Sequence, residues 1–203
     1  MDVLQTVARV GTVREMTRII SGFAGSLTIA VPASDTRPTS DRVREAIFSA
    51  LDARDAIRGT AVLDLYAGSG ALGLEAASRG ASRVILVEKS ASSASTCRKN
   101  AAVVLRSAPQ GRAPVVQVVA QSVQAFLGAD GEAFDLVFLD PPYDLGESEL
   151  AAALAALVPR LAPDAIVMVE RSSRSPGPVL PDGLELDKRK NYGDTTLWWL
   201  RGS

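Results

Sequence analysis

Two short segments of the sequence carry residue types at a spacing that could bind a ligand and act on it. The first runs from Asp64 to Gly73 and reads Asp-Leu-Tyr-Ala-Gly-Ser-Gly-Ala-Leu-Gly. Its glycines would let a ligand approach the backbone closely, and the helix predicted to follow would offer unpaired N–H groups. The second, from Asp140 to Tyr143, places a carboxylate and an aromatic ring on either side of two prolines. These segments are the candidate functional sites of the chain.

The glycine-rich segment is typical of a site that binds an adenosine-containing ligand. Gly68, Gly70 and Gly73 satisfy the pattern G-x-G-x-x-G, and Glu88 ends the next predicted strand, where an acid can bind ribose hydroxyls. The pattern alone does not separate a nicotinamide dinucleotide from S-adenosylmethionine. Asp64 favours S-adenosylmethionine, because a carboxylate repels a pyrophosphate and attracts sulfonium and ammonium groups. The alternative, that Asp64 and Glu88 only cap neighbouring helices, is less favoured because both stand at strand ends.

The segment Asp140-Pro141-Pro142-Tyr143 follows the fourth predicted parallel strand and presents hydrogen-bond acceptors. The prolines lack N–H groups, so the Asp140 carboxylate and nearby carbonyl oxygens suit a substrate with two N–H donors. An exocyclic amine of a nucleic-acid base is such a substrate, and these acceptors would stabilise positive charge developing on its nitrogen during methyl transfer. Tyr143 could stack on the extruded base, a contact worth roughly 1–3 kcal/mol. In isolation the motif would predict only a loop with a half-buried aromatic, but its position after the glycine-rich turn favours catalysis.

The elements that must position these segments alternate regularly from residue 61 onward. Apolar strands alternate with helical patterns, which predicts a doubly wound, Rossmann-like α/β domain with a mostly parallel seven-stranded sheet. The last two strands have no helix between them and should form an antiparallel hairpin around residues 192–194. We expect residues 1–16 to be an extension, residues 17–36 a small β-hairpin turning at Ala24 and Gly25, and residues 37–203 the catalytic domain. Ser40 or Asp41 should cap the first helix.

Composition excludes several mechanisms. The 203 residues include no histidine, which removes Ser-His-Asp hydrolysis, two-histidine zinc peptidases and histidine phosphotransfer. Cys97 is the one cysteine, so an internal disulfide is impossible and no metal site is expected. The hydrophobic share of 47% and the charged share of 22% predict a soluble globular protein. We find no secretory signal or membrane-spanning run in the sequence, and we expect a cytoplasmic location without membrane contact.

The charge balance gives no general attraction to a polyanion, because the formal net charge is -1. Basic residues nevertheless cluster in the sequence around residues 37–44 and 188–190, and Arg98 and Lys99 form a smaller pair. Each cluster taken alone is more often a solvated face than a binding site.

Five segments together resemble one family. Residues 18–22, 37–45, 64–73, 140–143 and 192–194 look like those of the bacterial 16S rRNA guanine-N2 methyltransferases of the RsmD type, within the class I S-adenosylmethionine-dependent methyltransferases. The similarity extends from about residue 17 to the end of the sequence. The resemblance implies methyl transfer from S-adenosylmethionine to the N2 of one guanine in 16S rRNA. It also implies a small ribosomal subunit or its assembly intermediate as substrate, a monomeric enzyme and no metal.

The resemblance also assigns roles to residues. Catalysis would belong to Asp140, Pro141, Pro142 and Tyr143. The cofactor-binding residues would be Asp64, Tyr66, Ala67, Gly68, Gly70, Glu88, Lys89, Gln121, Ser122 and Asp140. Gln121 departs from the family pattern, in which an acid often stands beside the adenine, and Asn100 is a weaker candidate near the ribose. The RNA-binding residues would be Arg37, Arg42, Arg44, Lys188, Arg189 and Lys190.

Three other functions remain open on the sequence. A DNA adenine-N6 methyltransferase can share the Asp140–Tyr143 motif but usually needs a target-recognition domain, for which this chain has no room. A nicotinamide-dependent oxidoreductase is disfavoured by Asp64 and by the lack of histidine. A ribosome-assembly factor that binds RNA without depending on methylation is the non-enzymatic alternative.

Overall fold

The elements of the fold follow the predicted alternation closely. The structure is a computed structural model that describes residues 16–32 and 40–202. Its strands are β1 (Met16–Arg18), β2 (Thr28–Ala30), β3 (Ala61–Leu65), β4 (Arg83–Val87), β5 (Val115–Val119), β6 (Phe134–Leu139), β7 (Leu161–Ser172), β8 (Leu184–Tyr192) and β9 (Thr195–Gly202). Its helices are α1 (Asp41–Asp52), α2 (Ala71–Ser78), α3 (Ala91–Leu105), α4 (Val123–Leu127) and α5 (Glu147–Leu157), and a 3₁₀ turn spans Val158–Arg160.

The large sheet has seven strands in the order β5-β4-β3-β6-β7-β9-β8. Strands β3 to β7 run parallel, whereas β9 is antiparallel to both β7 and β8. The chain winds from β3 outward through β4 to β5 and then returns to place β6 on the other side of β3. Open α/β sheets bind ligands at such a reversal, beyond the carboxyl ends of the strands. The predicted doubly wound sheet and its C-terminal antiparallel hairpin are confirmed.

Helices cover both faces of the sheet, so consecutive strand residues enter two different cores. Val62 packs with α1, α2 and α3 on one face, whereas Leu63 packs with α4 and α5 on the other. Burial on both faces explains why the parallel strands read as continuous apolar runs. Among the described residues, no helix is both long enough and apolar enough to cross a membrane.

The N-terminal segment forms the small hairpin that the sequence predicts and attaches to α2. Strands β1 and β2 have three residues each and pair antiparallel, and the turn between them includes Ala24 and Gly25, so the predicted small hairpin is confirmed. Two backbone N–H groups, those of Ile20 and Ser21, donate to the buried Glu75 carboxylate at 2.6 and 3.0 Å. Hydrogen bonds to α2 therefore hold the hairpin loop in addition to the cross-strand bonds that Ile19 makes with Ser26 and Leu27.

Helix α1 begins as predicted at Ser40, whose hydroxyl accepts the Val43 N–H at 3.3 Å. Asp41, the other candidate cap, lies in the first turn and pairs with Arg44. The apolar face of α1 is buried, and the Phe48 ring centroid lies 5.8 Å from that of Phe138 on β6. This packing fixes the helix on the sheet beside the strands that carry the site.

Candidate active site

A cleft of about 670 Å³ opens at the carboxyl ends of β3, β4 and β6. The residues predicted as functional that line it are Tyr66, Gly68, Glu88, Lys89, Ser122, Asp140, Pro141, Pro142 and Tyr143. Tertiary structure thus brings the two candidate segments into one site. Each lies just beyond a strand, and β3 and β6 are neighbours in the sheet.

The turn after β3 has a left-handed backbone at several positions. Tyr66, Gly68 and Gly70 have φ angles of 64°, 53° and 81°. Gly70 is required for space as well, because a Cβ there would lie 2.8 Å from the Cys97 sulfur on α3. The turn brings the chain sharply back from β3 into α2 and exposes backbone to the cleft at Gly68.

Asp64 supports this turn from inside the protein. Its side chain is 1% exposed, and its Oδ2 accepts the Gly73 N–H at 2.8 Å near the start of α2. Burial raises the pKa of Asp64 to about 7, with the like charges of Asp140 and Glu88 raising it further and the Gly73 hydrogen bond opposing the rise. Asp64 does not line the cleft. Asp64 is therefore buried and holds the start of α2, directly after the glycine turn, by a hydrogen bond.

Glu88 faces the cleft in a fixed orientation. Its Oε2 accepts the Gly68 N–H at 2.9 Å, and its Oε1 accepts the Ser90 N–H at 2.7 Å. Each carboxylate oxygen has a further lone pair, so both can still accept a hydroxyl from a ligand. The sequence correctly placed this acid at the end of β4, but its attachment to the glycine turn appears only in the structure.

The remaining predicted cofactor residues divide into two groups. Ser122 lines the cleft and caps α4 by accepting the Ala125 N–H at 3.1 Å, and Lys89 lines the cleft beside Glu88. Ala67, Gly70 and Gln121 do not line it. Tyr66 does, and burial raises the pKa of its hydroxyl to about 12.

The structure adds cleft residues that the sequence did not identify. They are Val87, Ser90, Ser93, Val123, Gln124, Asp144, Leu145 and Glu149. Gln124 and Glu149 come from different helices and are joined by a hydrogen bond of 2.8 Å between Nε2 and Oε1. A rule that includes the residues just beyond each strand end would have identified several of them, but not Glu149, which lies within α5.

The loop after β6 is held by hydrogen bonds where it leads into α5. The Leu145 N–H donates to the Pro142 carbonyl at 3.0 Å, which closes a turn directly after the two prolines. Arg171, at the end of β7 and 5% exposed, donates to the Leu145 carbonyl at 3.4 Å and pairs with Glu147. Tyr143 is 54% exposed. The loop is therefore anchored at its end while the tyrosine ring stands at the rim of the cleft.

The electrostatic character of the cleft is acidic. Among the described residues that line it, four are acidic, namely Glu88, Asp140, Asp144 and Glu149, and Lys89 is the basic one. Such a site disfavours an anionic pyrophosphate and favours a ligand that carries positive charge. In the part of the chain that the structure describes, no group of three or more acidic, cysteine or histidine side chains is placed to hold a metal ion.

The predicted RNA-binding residues near α1 do not form one group. Arg42 is exposed in the first turn of α1. Arg44 is 1% exposed, and its Nη2 donates to Thr17 Oγ1, the Arg18 carbonyl and Asp41 Oδ1 at 2.7, 2.9 and 2.6 Å. The guanidinium of Arg44 thus joins α1 to β1 and is not exposed as that of Arg42 is, and its contact with phosphate stays a prediction. Arg37 lies outside the described residues.

The basic run on β8 is exposed but divided between the two faces of the sheet. Lys188 and Lys190 stand opposite Trp199 and Leu197, which belong to the core beneath α1 to α3. Arg189 stands opposite Trp198 on the other face, with its guanidinium 4.8 Å from the Trp198 ring centroid. Consecutive strand residues point in opposite directions, so this tripeptide cannot act as a single patch.

The sheet order, the glycine turn and the acid after β4 define the fold of the class I methyltransferases. The Escherichia coli protein yhhF superposes with a TM-score of 0.78 at 32% identity, covering 93% of this chain and 99% of that one. Magnesium protoporphyrin IX methyltransferase from Synechocystis, solved with bound S-adenosylmethionine, superposes with a TM-score of 0.62. Its identity is 15%, over 80% of this chain and 79% of that one, which is a likeness of fold alone.

The chain belongs to the RsmD family, described as Conserved hypothetical protein 95, whose sequence profile matches residues 17–201. Ribosomal RNA small subunit methyltransferase D of Escherichia coli is 35% identical over 177 residues, which is 87% of this chain and 85% of that protein. The corresponding protein of Haemophilus influenzae is also 35% identical, over 179 residues, 87% of this chain and 89% of that protein. The family resemblance found in the sequence is confirmed.

Proposed function

We propose that this protein transfers a methyl group from S-adenosylmethionine to the N2 amino group of one guanine in 16S rRNA. The proposed substrate is a small ribosomal subunit or its assembly intermediate in the cytoplasm, and the proposed active form is a monomer. The observation that carries the proposal is the meeting of Glu88 and the Asp140–Tyr143 loop in one acidic cleft at the reversal of the sheet. The relatives named as small-subunit rRNA methyltransferases support the choice of RNA.

The cleft residues fit the chemistry of S-adenosylmethionine. The two Glu88 oxygens, already oriented by backbone N–H groups, would accept the two ribose hydroxyls. The surrounding carboxylates would favour the positive charges of the methionine portion, and Ser122 would lie beside the adenine. When bound, S-adenosylmethionine supplies an electrophilic methyl group on its sulfonium.

The Asp140 loop would prepare the guanine amine for attack on that methyl group. Asp140 would accept one amine hydrogen, and the carbonyl of Pro141, the next residue along the chain, would accept the other. Both acceptors oppose the positive charge that develops on nitrogen, so they contribute most in the transition state. The nitrogen then releases one proton to solvent. Tyr143 would stack on the base and offset part of the cost of extruding it.

The RNA would be held by exposed basic residues outside the cleft. Arg42 on α1 and Lys188 and Lys190 on β8 are the described candidates on the side of the sheet covered by α1. Arg189 would contact RNA from the other face, and Arg37 stays a candidate on its sequence. Phosphate contacts of this kind supply affinity and orientation, while the cleft selects the base.

The deciding experiment is nucleoside mass spectrometry after incubation with labelled S-adenosylmethionine. Unmodified small subunits, naked 16S rRNA and DNA are compared in parallel. We expect labelled N2-methylguanosine from small subunits or their precursors. Labelled N6-methyladenine in DNA would favour the DNA methyltransferase instead, and the absence of label in every substrate would overturn the proposed activity.

A further inference from the structure

Asn100 on α3 joins the N-terminal segment to the glycine turn. Its side chain is 3% exposed, and its Nδ2 donates to the Ala30 carbonyl at 2.8 Å and to the Ser69 carbonyl at 2.9 Å. Its Oδ1 accepts the Ala30 N–H at 3.0 Å. One buried amide therefore binds both the N–H and the carbonyl of Ala30 in β2, and it binds Ser69 in the turn between Gly68 and Gly70 at the same time.

The contact continues from Ser69 to the cleft. The neighbouring residue, Gly68, donates its N–H to Glu88 Oε2 at 2.9 Å, so the position of the turn fixes the carboxylate proposed to hold the ribose. The carbonyl of Ser69 cannot shift without stretching the Asn100 hydrogen bond. Ala30, Asn100, Ser69, Gly68 and Glu88 thus form a continuous path from β2 to the cleft.

Other contacts of the N-terminal segment lead elsewhere. Ser78 on α2 accepts the Ala24 N–H at 2.9 Å and donates to the Ser21 carbonyl at 2.6 Å. Glu75 accepts the N–H groups of Ile20 and Ser21. These contacts attach the segment to α2 without touching the glycine turn. A variant that removes one of them therefore tests attachment of the segment without removing a contact to the turn.

We infer that Asn100 is a positioning residue that couples the placement of the N-terminal segment to cofactor affinity. The inference rests on the proposed function, in which α1, next along the chain after β2, presents Arg42 to RNA. RNA that holds this region in place would hold Ala30, and through Asn100 it would hold the glycine turn in the geometry that Glu88 needs. Coupling between two binding sites is reciprocal, so bound cofactor would raise RNA affinity by the same factor.

The test compares Asn100→Ala with Ser78→Ala. The affinity for S-adenosylhomocysteine is measured by calorimetry, without RNA and with a saturating unmodified small subunit. Loss of the hydrogen bond to Ser69 should weaken binding by the free protein roughly three- to tenfold, the range for a single buried hydrogen bond. The ratio of S-adenosylhomocysteine affinity with the subunit to that without it should fall toward one. Ser78→Ala should lower the melting temperature but leave both quantities as in the wild type.

Several outcomes would overturn the inference. Equal loss of melting temperature in the two variants with unchanged cofactor affinity would make Asn100 a purely structural residue. If Asn100→Ala does not fold, Asn100→Ser, which keeps a small polar group in the buried site, takes its place in the same comparison. If the wild-type protein binds S-adenosylhomocysteine but no subunit, the proposed coupling to RNA is wrong. The affinity of the free Asn100→Ala variant for S-adenosylhomocysteine then still tests whether Asn100 positions the glycine turn. A wild-type protein that binds neither overturns the proposed function as well.

Discussion

Replacing Glu88 by glutamine perturbs the proposed ribose site with little change in size. In the wild type each carboxylate oxygen accepts one backbone N–H, at 2.9 Å from Gly68 and 2.7 Å from Ser90. Glutamine has one oxygen and one NH₂ group. Whichever way the amide turns, a donor therefore faces one of these two N–H groups. The substitution should displace the side chain as well as remove its charge.

The expected magnitude follows from the hydrogen bonds at stake. A ribose hydroxyl that loses its charged acceptor costs about 1.5–3 kcal/mol, which corresponds to roughly a tenfold to hundredfold rise in Kd. Calorimetric titration with S-adenosylhomocysteine measures this value directly and needs no turnover. Glu88→Ala should weaken binding at least as much, because it removes both acceptors.

The matched control is Asp144→Asn. This variant removes the same charge from the cleft at an exposed position. An exposed charge contributes little, so its Kd should change by less than about fivefold. If Glu88→Gln binds S-adenosylhomocysteine as well as the control does, Glu88 does not hold the ribose and the proposed orientation of the cofactor is incorrect.

Three further predictions concern catalysis, RNA binding and stability. Asp140→Asn should lower the single-turnover rate on unmodified small subunits about a hundredfold or more while changing S-adenosylhomocysteine affinity little, and a near-normal rate would exclude this loop as the catalytic centre. Reversing the charges of Lys188 and Lys190 together should weaken rRNA binding and reduce the slope of log affinity against log salt by about one to two, and Arg189→Glu tests separately the contact proposed from the opposite face. An unchanged slope would make the two lysines a solvated surface. Asp64 has a folded-state pKa raised to about 7 from 3.8, so its protonated form stabilises the fold at low pH and that stabilisation is lost as the pH rises to about 7. Denaturant unfolding of wild type and Asp64→Asn should show the wild type losing stability relative to the variant across this interval, and a constant difference would contradict the raised pKa.

The sheet could be predicted because its signal is local. Strands β3 to β7 are short apolar runs separated by helical patterns, and parallel neighbours require such crossovers. The N-terminal hairpin could be predicted, but its attachment to α2 could not. Its turn region had the composition of strand and turn, but the buried acceptors on Glu75 and Ser78 that its N–H groups use lie more than fifty residues away.

The roles of individual site residues were predictable only where the residue stands at a strand end and faces the cleft. Glu88 and Asp140 meet that condition, and both line the cleft. Asp64 has the same residue type in a similar position, yet its carboxylate faces the N–H of Gly73 inside the protein. Asp64 lies within β3 and, by strand alternation, points to the same side as Val62, whereas Glu88 and Asp140 follow the last residues of β4 and β6.

The sequence by itself determined the order of the elements, the glycine turn, the acid after β4 and the rigid loop after β6. These features depend on local conformational preference and on the period of apolar residues, both of which can be read along the chain. Only the tertiary structure decided which charged residues remain available to a ligand. Arg44 and Arg42 stand two residues apart in the same basic segment, but α1 turns Arg44 against β1, where its guanidinium donates to two oxygens of β1 and to Asp41 of α1. The burial of a charge depends on partners brought together from distant positions, and composition does not contain that information.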